Sequence, residues 1–299
     1  MSGARIARLG AGLVGVGVVG LTAGVVEARF PVIRRFDVPI LKAGARPIRL
    51  LHISDLHLLP NDRGRINFVR NLAGLEPDLV VSTGDNMASV DSVDAVLEAY
   101  EPLFAKPGVF VFGSNDYNES AFKSPLAYFV DWGSHGATRK LPTDALRQGL
   151  QDGGWASLNN RRASLELAGQ VVEFRGTNDG HMDADHSEAV AGPASDGVDV
   201  SLGVTHAPYL ELLDAMTNDD VSLIMAGHTH GGQVCLPFKG ALITNCDLDT
   251  KRARGLHRHH TPLASSWLHV SAGLGTSPYA PYRLFCRPEV SLLTLTPDV

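Results

Sequence analysis

Side chains able to bind a cation recur, one or two at a time, directly after short apolar runs: Asp55 and His57 in SDLHL, Asp85 in TGDN, Asn115 and Asp116 in GSND, His206 in THAP, and His228 with His230 in GHTHGG. Carboxylate, imidazole and amide donors without a thiolate suit Zn, Mn or Fe. Two such cations roughly 3.5 to 4 Å apart can clamp both the attacking and the leaving oxygen of a phosphoryl transfer. Cations that close repel, so an anion must bridge them, and the two oxygens of Asp85 make it the natural bridge. In an extended chain, Asp-x-His and His-x-His spacing points both members of each pair to one side, so that each reaches inward. A hydroxide held between the ions would be the nucleophile, because coordination brings the pKa of water to about 7. A lone histidine on an apolar run is ordinarily a satisfied core group. Several runs ending in the same residue types require a shared purpose.

The runs themselves read as strands of an α/β fold. Pro47 to Ile53, Asp78 to Ser82, Gly108 to Phe112, Gln170 to Arg175, Val198 to Val204 and Val221 to Ala226 are short, apolar and end at glycine or polar residues. Trp267 to Ser271 and Val290 to Leu295 are late strands. Between the early strands, Arg63 to Leu75 and Val90 to Ala105 carry apolar residues at helical spacing, and a third helix is expected near Asp144 to Asp152 within an irregular lobe from Asn118 to Gly154. Strands separated by helices, then strand-dense sequence, imply a layered sandwich of mixed sheets faced by helices. Ligands in such folds gather at the carboxyl ends of the strands, where the Asp and His residues lie.

At these residues the chain resembles the calcineurin-like metallophosphoesterases, whose pattern is D-x-H, G-D, G-N-H-[DE], H and G-H-x-H in that order. Here it stands as Asp55-Leu-His57, Gly84-Asp85, Gly113-Ser-Asn-Asp116, His206 and Gly227-His228-Thr-His230, over roughly Ile48 to Leu295. The resemblance implies a four-layer α/β/β/α sandwich of two mixed sheets and two divalent metal ions. It assigns the first ion to Asp55, His57, Asp85 and His230, and the second to Asp85, an Asn, His206 and His228. AGHTHGGQ and AGLGTSPYAPYRLFCRPEVSLLTL look most like the bacterial branch with an amino-terminal membrane segment. GSND departs from the pattern. Asn115 shifts by one residue to serve as ligand, or Ser114 takes that role; in either case the histidine that would protonate the leaving oxygen is missing. An amide is no acid, so the catalytic assignment rests on Asp85 and Asn115, with a preference for good leaving groups such as pyrophosphates or aryl phosphates.

The totals are those of a globular chain: 299 residues, 44% hydrophobic, net charge -6. No basic footprint points to nucleic acid. Cys235, Cys246 and Cys286 have no CxxC spacing, so they read as buried apolar residues rather than a metal or disulfide set. Residues 1–28 read as a membrane anchor, or a secretory signal cleaved after Ala28: Arg5 and Arg8 precede the uncharged run Leu9 to Val26. Residues 29–46 read as a connector and 47–299 as the catalytic domain. The expected substrate is a phosphorylated small molecule or lipid; the alternative is a non-catalytic, metal-stabilised binding module at a membrane. GTNDGHMDADH and KRARGLHRHH read as solvated loops with a secondary option of substrate contact, and Arg283 as a candidate substrate ligand.

Overall fold

The computed structural model describes residues 19–120, 139–182 and 184–298. Two six-stranded sheets stack face to face. In the first, β2 (Ile48–Ile53), β3 (Leu79–Ser82), β4 (Gly108–Phe110) and β5 (Trp155–Ser157) run parallel, and β14 (Glu289–Pro297) joins β2 antiparallel. In the second, β7 (Gln170–Gly176), β8 (Val200–Val204), β9 (Leu223–Ala226) and β13 (Ser265–Val270) run parallel. Antiparallel edges β6 (Arg161–Leu167) and β12 (Gly255–His260) close that sheet.

The pleat of β2 explains the layering. Leu51 and Ile53 face outward, against Ile66 and Val69 of α1 (Arg63–Asn71) and Val96 of α2 (Val93–Tyr100). Leu50 lies on the opposite side, in a core shared with Val172, Phe174, Leu202 and Met225 of the second sheet. On the far side of that sheet, Leu212, Leu213 and Met216 of the helix Leu210–Asn218 pack on Ile224, Leu268 and Val270. The order is helices, sheet, sheet, helix, as the resemblance implied. Runs buried on both faces are continuous in hydrophobicity, which is why these central strands were legible.

One expectation changes, and three elements are new. Residues 29–46, read as a connector, contain β1 (Val32–Leu41), which pairs in parallel with β14 and completes the first sheet. Its mixed burial and its arginines, Arg34 and Arg35, hide the strand from a hydrophobicity pattern. The helix Leu210–Asn218 and the half-exposed strands β6 and β12 were likewise not anticipated. Of the irregular lobe, residues 121–138 lie outside the described residues.

At the amino terminus, residues 19–27 are helical and dock on the late segment. The Arg283 amide donates to Gly24 O at 3.0 Å, and the Glu27 carboxylate accepts from the Phe285 and Cys286 amides at 2.9 and 2.6 Å. Among the described residues no helix is long and apolar enough to cross a membrane; most of the apolar run expected to do so, residues 9–18, lies outside them.

Candidate metal centre

Parallel strands bring the Asp and His residues to one end of both sheets: Asp55 and His57 follow β2, Asp85 follows β3, Asn115 follows β4, His206 follows β8, and His228 and His230 follow β9. The extended backbone expected for the paired residues is not what positions them. Asp55 (φ 51°), His57 (40°), Asp85 (55°), His228 (68°) and His230 (49°) are all left-handed. Asp and His tolerate that region better than most residues, but it still stores on the order of 1–3 kcal/mol per residue when enforced by the surroundings. Backbone hydrogen bonds do the enforcing. Asp55 and His57 amides donate to Gly84 O and Asp85 O, and Leu58 to Asn86 O, each at 2.9 Å, so the loop after β2 is zipped onto the loop after β3. Gly84 itself is left-handed at φ 93°, with no room for a Cβ against the Gly113 amide.

Asp85 sits at the centre. Its Oδ2 lies 3.5 Å from His57 Nε2 and 3.5 Å from His206 Nε2. The Asn115 amide N–H donates to Oδ1 at 2.8 Å and its side-chain Nδ2 to Oδ2 at 2.7 Å, so in GSND it is Asn115 whose side chain reaches the carboxylate. His57 Nε2 and His230 Nε2 stand 3.2 Å apart, and His230 Nε2 is 3.7 Å from Asp55 Oδ1. Among the described residues two groups could each hold a cation: Asp55, His57 and His230; and Asp55, Asp85 and His206. His228 is at the site but outside both groups. Its backbone N–H donates to the Asp55 carboxylate at 3.1 Å, its ring lies edge-on to His206 with centroids 5.3 Å apart, and its Nε2 contacts Asn245 O at 3.2 Å.

The donor chemistry fits divalent cations. His206 Nδ1 donates to Thr83 O at 2.6 Å, so Nε2, buried and without a hydrogen bond, is the atom turned to the Asp85 carboxylate, and in a neutral ring it presents a bare lone pair there. Two lone-pair-bearing atoms so placed need positive charge between them. Burial lowers the His206 pKa, but the Asp85, Asp179 and Asp55 carboxylates outweigh it and hold the ring well above the ordinary value; a proton takes the role open to a cation. Burial would raise Asp85, yet His206 and His57 keep it well below the usual carboxylate range. Burial pushes Asp55 up to about 6 and brings His57 down to about 4 and His228 to about 3; His230 falls well below its ordinary value for the same reason, aided by His57 and Arg283. Neutral imidazoles are the form that ligates metal.

Sequence comparison agrees with this geometry. The profile of the calcineurin-like phosphoesterases matches residues 48–232, most of the chain and nearly all of the site. The chain belongs to that family. It is 26% identical to an uncharacterized metallophosphoesterase, YkuE of Bacillus subtilis, over 82% of this chain and 76% of that protein. It is also 26% identical to the phosphodiesterase YaeI of Escherichia coli over 87% of both chains. Among solved structures it is similar to the purple acid phosphatase PPD1 of yellow lupin, at 15% identity and a TM-score of 0.44, covering 79% of this chain and 46% of that one.

In this calcineurin-like phosphoesterase a buried polar layer under the ligands went unread in the sequence. Ser54 Oγ donates to Asp55 Oδ2 at 2.5 Å, and Thr83 Oγ1 donates to Ser54 Oγ at 2.6 Å. His52 Nε2 is 2.9 Å from Thr83 Oγ1, and His52 Nδ1 is 2.8 Å from His269 Nδ1. The carboxylate fixes the direction of the chain. Each hydroxyl spends its proton toward Asp55, so Thr83 accepts from His52 Nε2–H, His52 Nδ1 accepts, and His269 Nδ1–H donates. Gly227 packs so closely on this relay that a Cβ there would overlap the Ser54 hydroxyl. The signal available was a hydroxyl beside each ligand motif, in Ser54-Asp55 and Thr83-Gly84-Asp85, with His52 on the inward face of β2.

Asp116 has a similar supporting role. Fully buried, it accepts from the backbone amides of Asp85, Asn86 and Gly113 at 2.8, 2.8 and 3.1 Å, tying two ligand loops together. Arg283, a candidate substrate ligand from sequence, is instead wholly buried and donates to the carbonyls of Ala272, Gly275 and His230 at 2.6, 2.7 and 3.2 Å. Of GTNDGHMDADH, His181 approaches the site: its ring centroid is 5.1 Å from that of His228 and its Nδ1 is 3.0 Å from Tyr209 Oη. Asp183 lies outside the described residues. In KRARGLHRHH the charges are locally engaged, Arg252 with Asp249, Arg258 over Trp267 and His259 with Asp214.

Proposed function

We propose that this metallophosphoesterase hydrolyses a phosphoester or pyrophosphate bond with two divalent cations, held by Asp55, His57, Asp85 and His230 on one side and by Asp85, Asn115, His206 and His228 on the other. The observation that carries the reading is Asp85, whose carboxylate oxygen is equidistant, at 3.5 Å, from one imidazole of each proposed set. When bound, the ions would supply Lewis-acid polarisation of the phosphoryl oxygens and an activated water. The protein's own part is to fix Asp55 through the hydroxyl relay, Asp85 through the Asn115 amides, and the two loops through Asp116. Asn115 brings an amide to the position that resembles the family's proton donor, so the leaving group must depart with little help from an acid at that point. That supports pyrophosphates or aryl phosphates over alkyl phosphomonoesters.

The anchor reading of residues 1–28 supports a lipid-linked phosphate as substrate and a membrane location. The test is turnover of an aryl phosphodiester by the chelated protein reloaded with Mn, together with metal stoichiometry. About two ions per chain, reduced by Asp85→Ala, and turnover that returns with metal support the proposal. Stoichiometric metal without turnover of any aryl, pyrophosphate or lipid phosphate favours the metal-stabilised binding module instead, for which the amide at position 115 is the supporting observation.

A further inference from the structure

Directly after the His230 turn the chain forms a small hairpin, β10 (Cys235–Leu236) and β11 (Gly240–Ala241), joined by Pro237, Phe238 and Lys239. Its tip is built against the usual rules. Phe238 is left-handed (φ 65°), an unfavourable backbone for an aromatic residue, and its side chain is fully exposed. Leu236 and Leu242 beside it are also exposed, at 43% and 40%. A soluble surface gains nothing from strain that holds a phenyl ring in water.

The surroundings say what covers the ring. The base of the hairpin bridges the late segment, Val234 pairing with Leu284 and the Cys235 amide donating to Leu284 O at 2.9 Å. That same segment receives the amino-terminal helical stretch, and Gly20, Leu21, Gly24, Val234, Tyr282 and Leu284 line one apolar cleft between them. Leu21, Tyr279 and Phe285 are more than half exposed around it. Hairpin, late segment and the described end of the apolar run Leu9 to Val26 therefore form one continuous surface. Lys239 adds a positive charge next to Phe238, the pairing of aromatic and cationic side chains suited to a bilayer interface with anionic head groups.

We propose that this hairpin is a membrane-contacting finger: Phe238 enters the boundary between head groups and acyl chains of an anionic phospholipid bilayer while Lys239 meets a head-group phosphate. The proposal rests on the reading of residues 1–28 as a membrane anchor and deepens it, because the finger turns the metal pocket toward the lipid surface. Ala241 packs on Gly232 of the His230 turn, and Asn245, just past the hairpin, contacts His228. Finger and ligand loop are one unit.

The test uses the full chain with phosphatidylcholine and phosphatidylglycerol vesicles, ordinary or with brominated acyl chains. Phe238→Trp adds an indole at the tip. Leu263→Trp is the control: Leu263 is 82% exposed and lies before β13, at the end of the second sheet opposite His228 and His230. The added emission of Phe238→Trp is expected to fall by about half in brominated vesicles, since an interfacial side chain reaches roughly 5–10 Å into the head-group and acyl boundary. That of Leu263→Trp is expected to stay unchanged. If the chain floats with vesicles but Phe238→Trp is not quenched, or both variants are quenched alike, the finger is refuted and the anchor stands. If the chain does not float at all, both readings fail. A concentration-dependent change in the Phe238→Trp emission without lipid, and no quenching with it, assigns the face to a second copy of the chain and overturns the proposal.

Discussion

Ser54→Ala isolates the relay beneath the metal pocket. The substitution removes the 2.5 Å bond to Asp55 and strands the Thr83 hydroxyl that donates to Ser54 at 2.6 Å. A hydrogen bond to a charged acceptor contributes about 1.5–3 kcal/mol, and a buried hydroxyl left without an acceptor costs about 1–3 kcal/mol. Asp55 keeps its bond from the His228 amide, so the two losses do not add in full, and roughly 2–4 kcal/mol is expected. For a chain of 299 residues that lowers the thermal midpoint by roughly 3–6 °C. The carboxylate also loses the group that aims it, which at metal sites typically weakens affinity about 10–100-fold. Thermal unfolding of the chelated protein measures the first effect and calorimetric Mn titration the second. A cycle with Gly227→Ala adds a check. The new methyl overlaps the Ser54 hydroxyl in the wild-type background, so Ser54→Ala should relieve part of its cost and the pair should couple by about 1 kcal/mol. Wild-type metal affinity and an unchanged midpoint in Ser54→Ala would refute the claim that the relay positions Asp55.

Three further outcomes are expected. Asp116→Asn turns a three-amide acceptor into a group that must point an N–H at one of them, so a urea melt should show a loss of about 2–4 kcal/mol. Chelated protein should weaken as pH falls: burial holds His52 near a pKa of about 3, so the fold keeps it neutral while the unfolded chain takes up a proton below about pH 6.5. Stability from this group is complete above that pH and is lost on the way down, by about 1.4 kcal/mol per pH unit, and His52→Gln should flatten that slope in urea melts at pH 7 and pH 5. Turnover should favour good leaving groups, with kcat/KM for aryl phosphates about 100-fold or more above alkyl phosphates of equal charge; parity would mean that some other group supplies the proton.

The ligand residues and the central strands were legible because each carries a signal that survives in one dimension. Leu223 to Ala226 is apolar throughout because β9 is buried on both faces, and the glycine and histidines after it mark its end. β1 could not be read the same way: its partner β14 is more than two hundred residues distant, and its exposed arginines blur the pattern. The support of the site was hidden for a related reason. Ser54, Thr83 and Asp116 are ordinary turn-forming types in sequence, and only the convergence of the loops reveals that they are buried, the two hydroxyls committed to Asp55 and the Asp116 carboxylate to three backbone amides. Arg283 shows the reverse error, a charged residue near a motif that serves carbonyl groups in the interior rather than a ligand.

The left-handed backbone at Asp55, His57, Asp85, His228 and His230 inverts the usual ranking of replacements. Elsewhere alanine is the benign truncation and glycine the disruptive one; here glycine relaxes the torsion and alanine inherits it. A chain stripped of its ligands by glycine should therefore outlast its alanine counterpart on heating. The fold thus carries a standing tension at its mouth, one that a drift toward greater heat resistance would tend to release by discarding the very side chains that make the pocket useful.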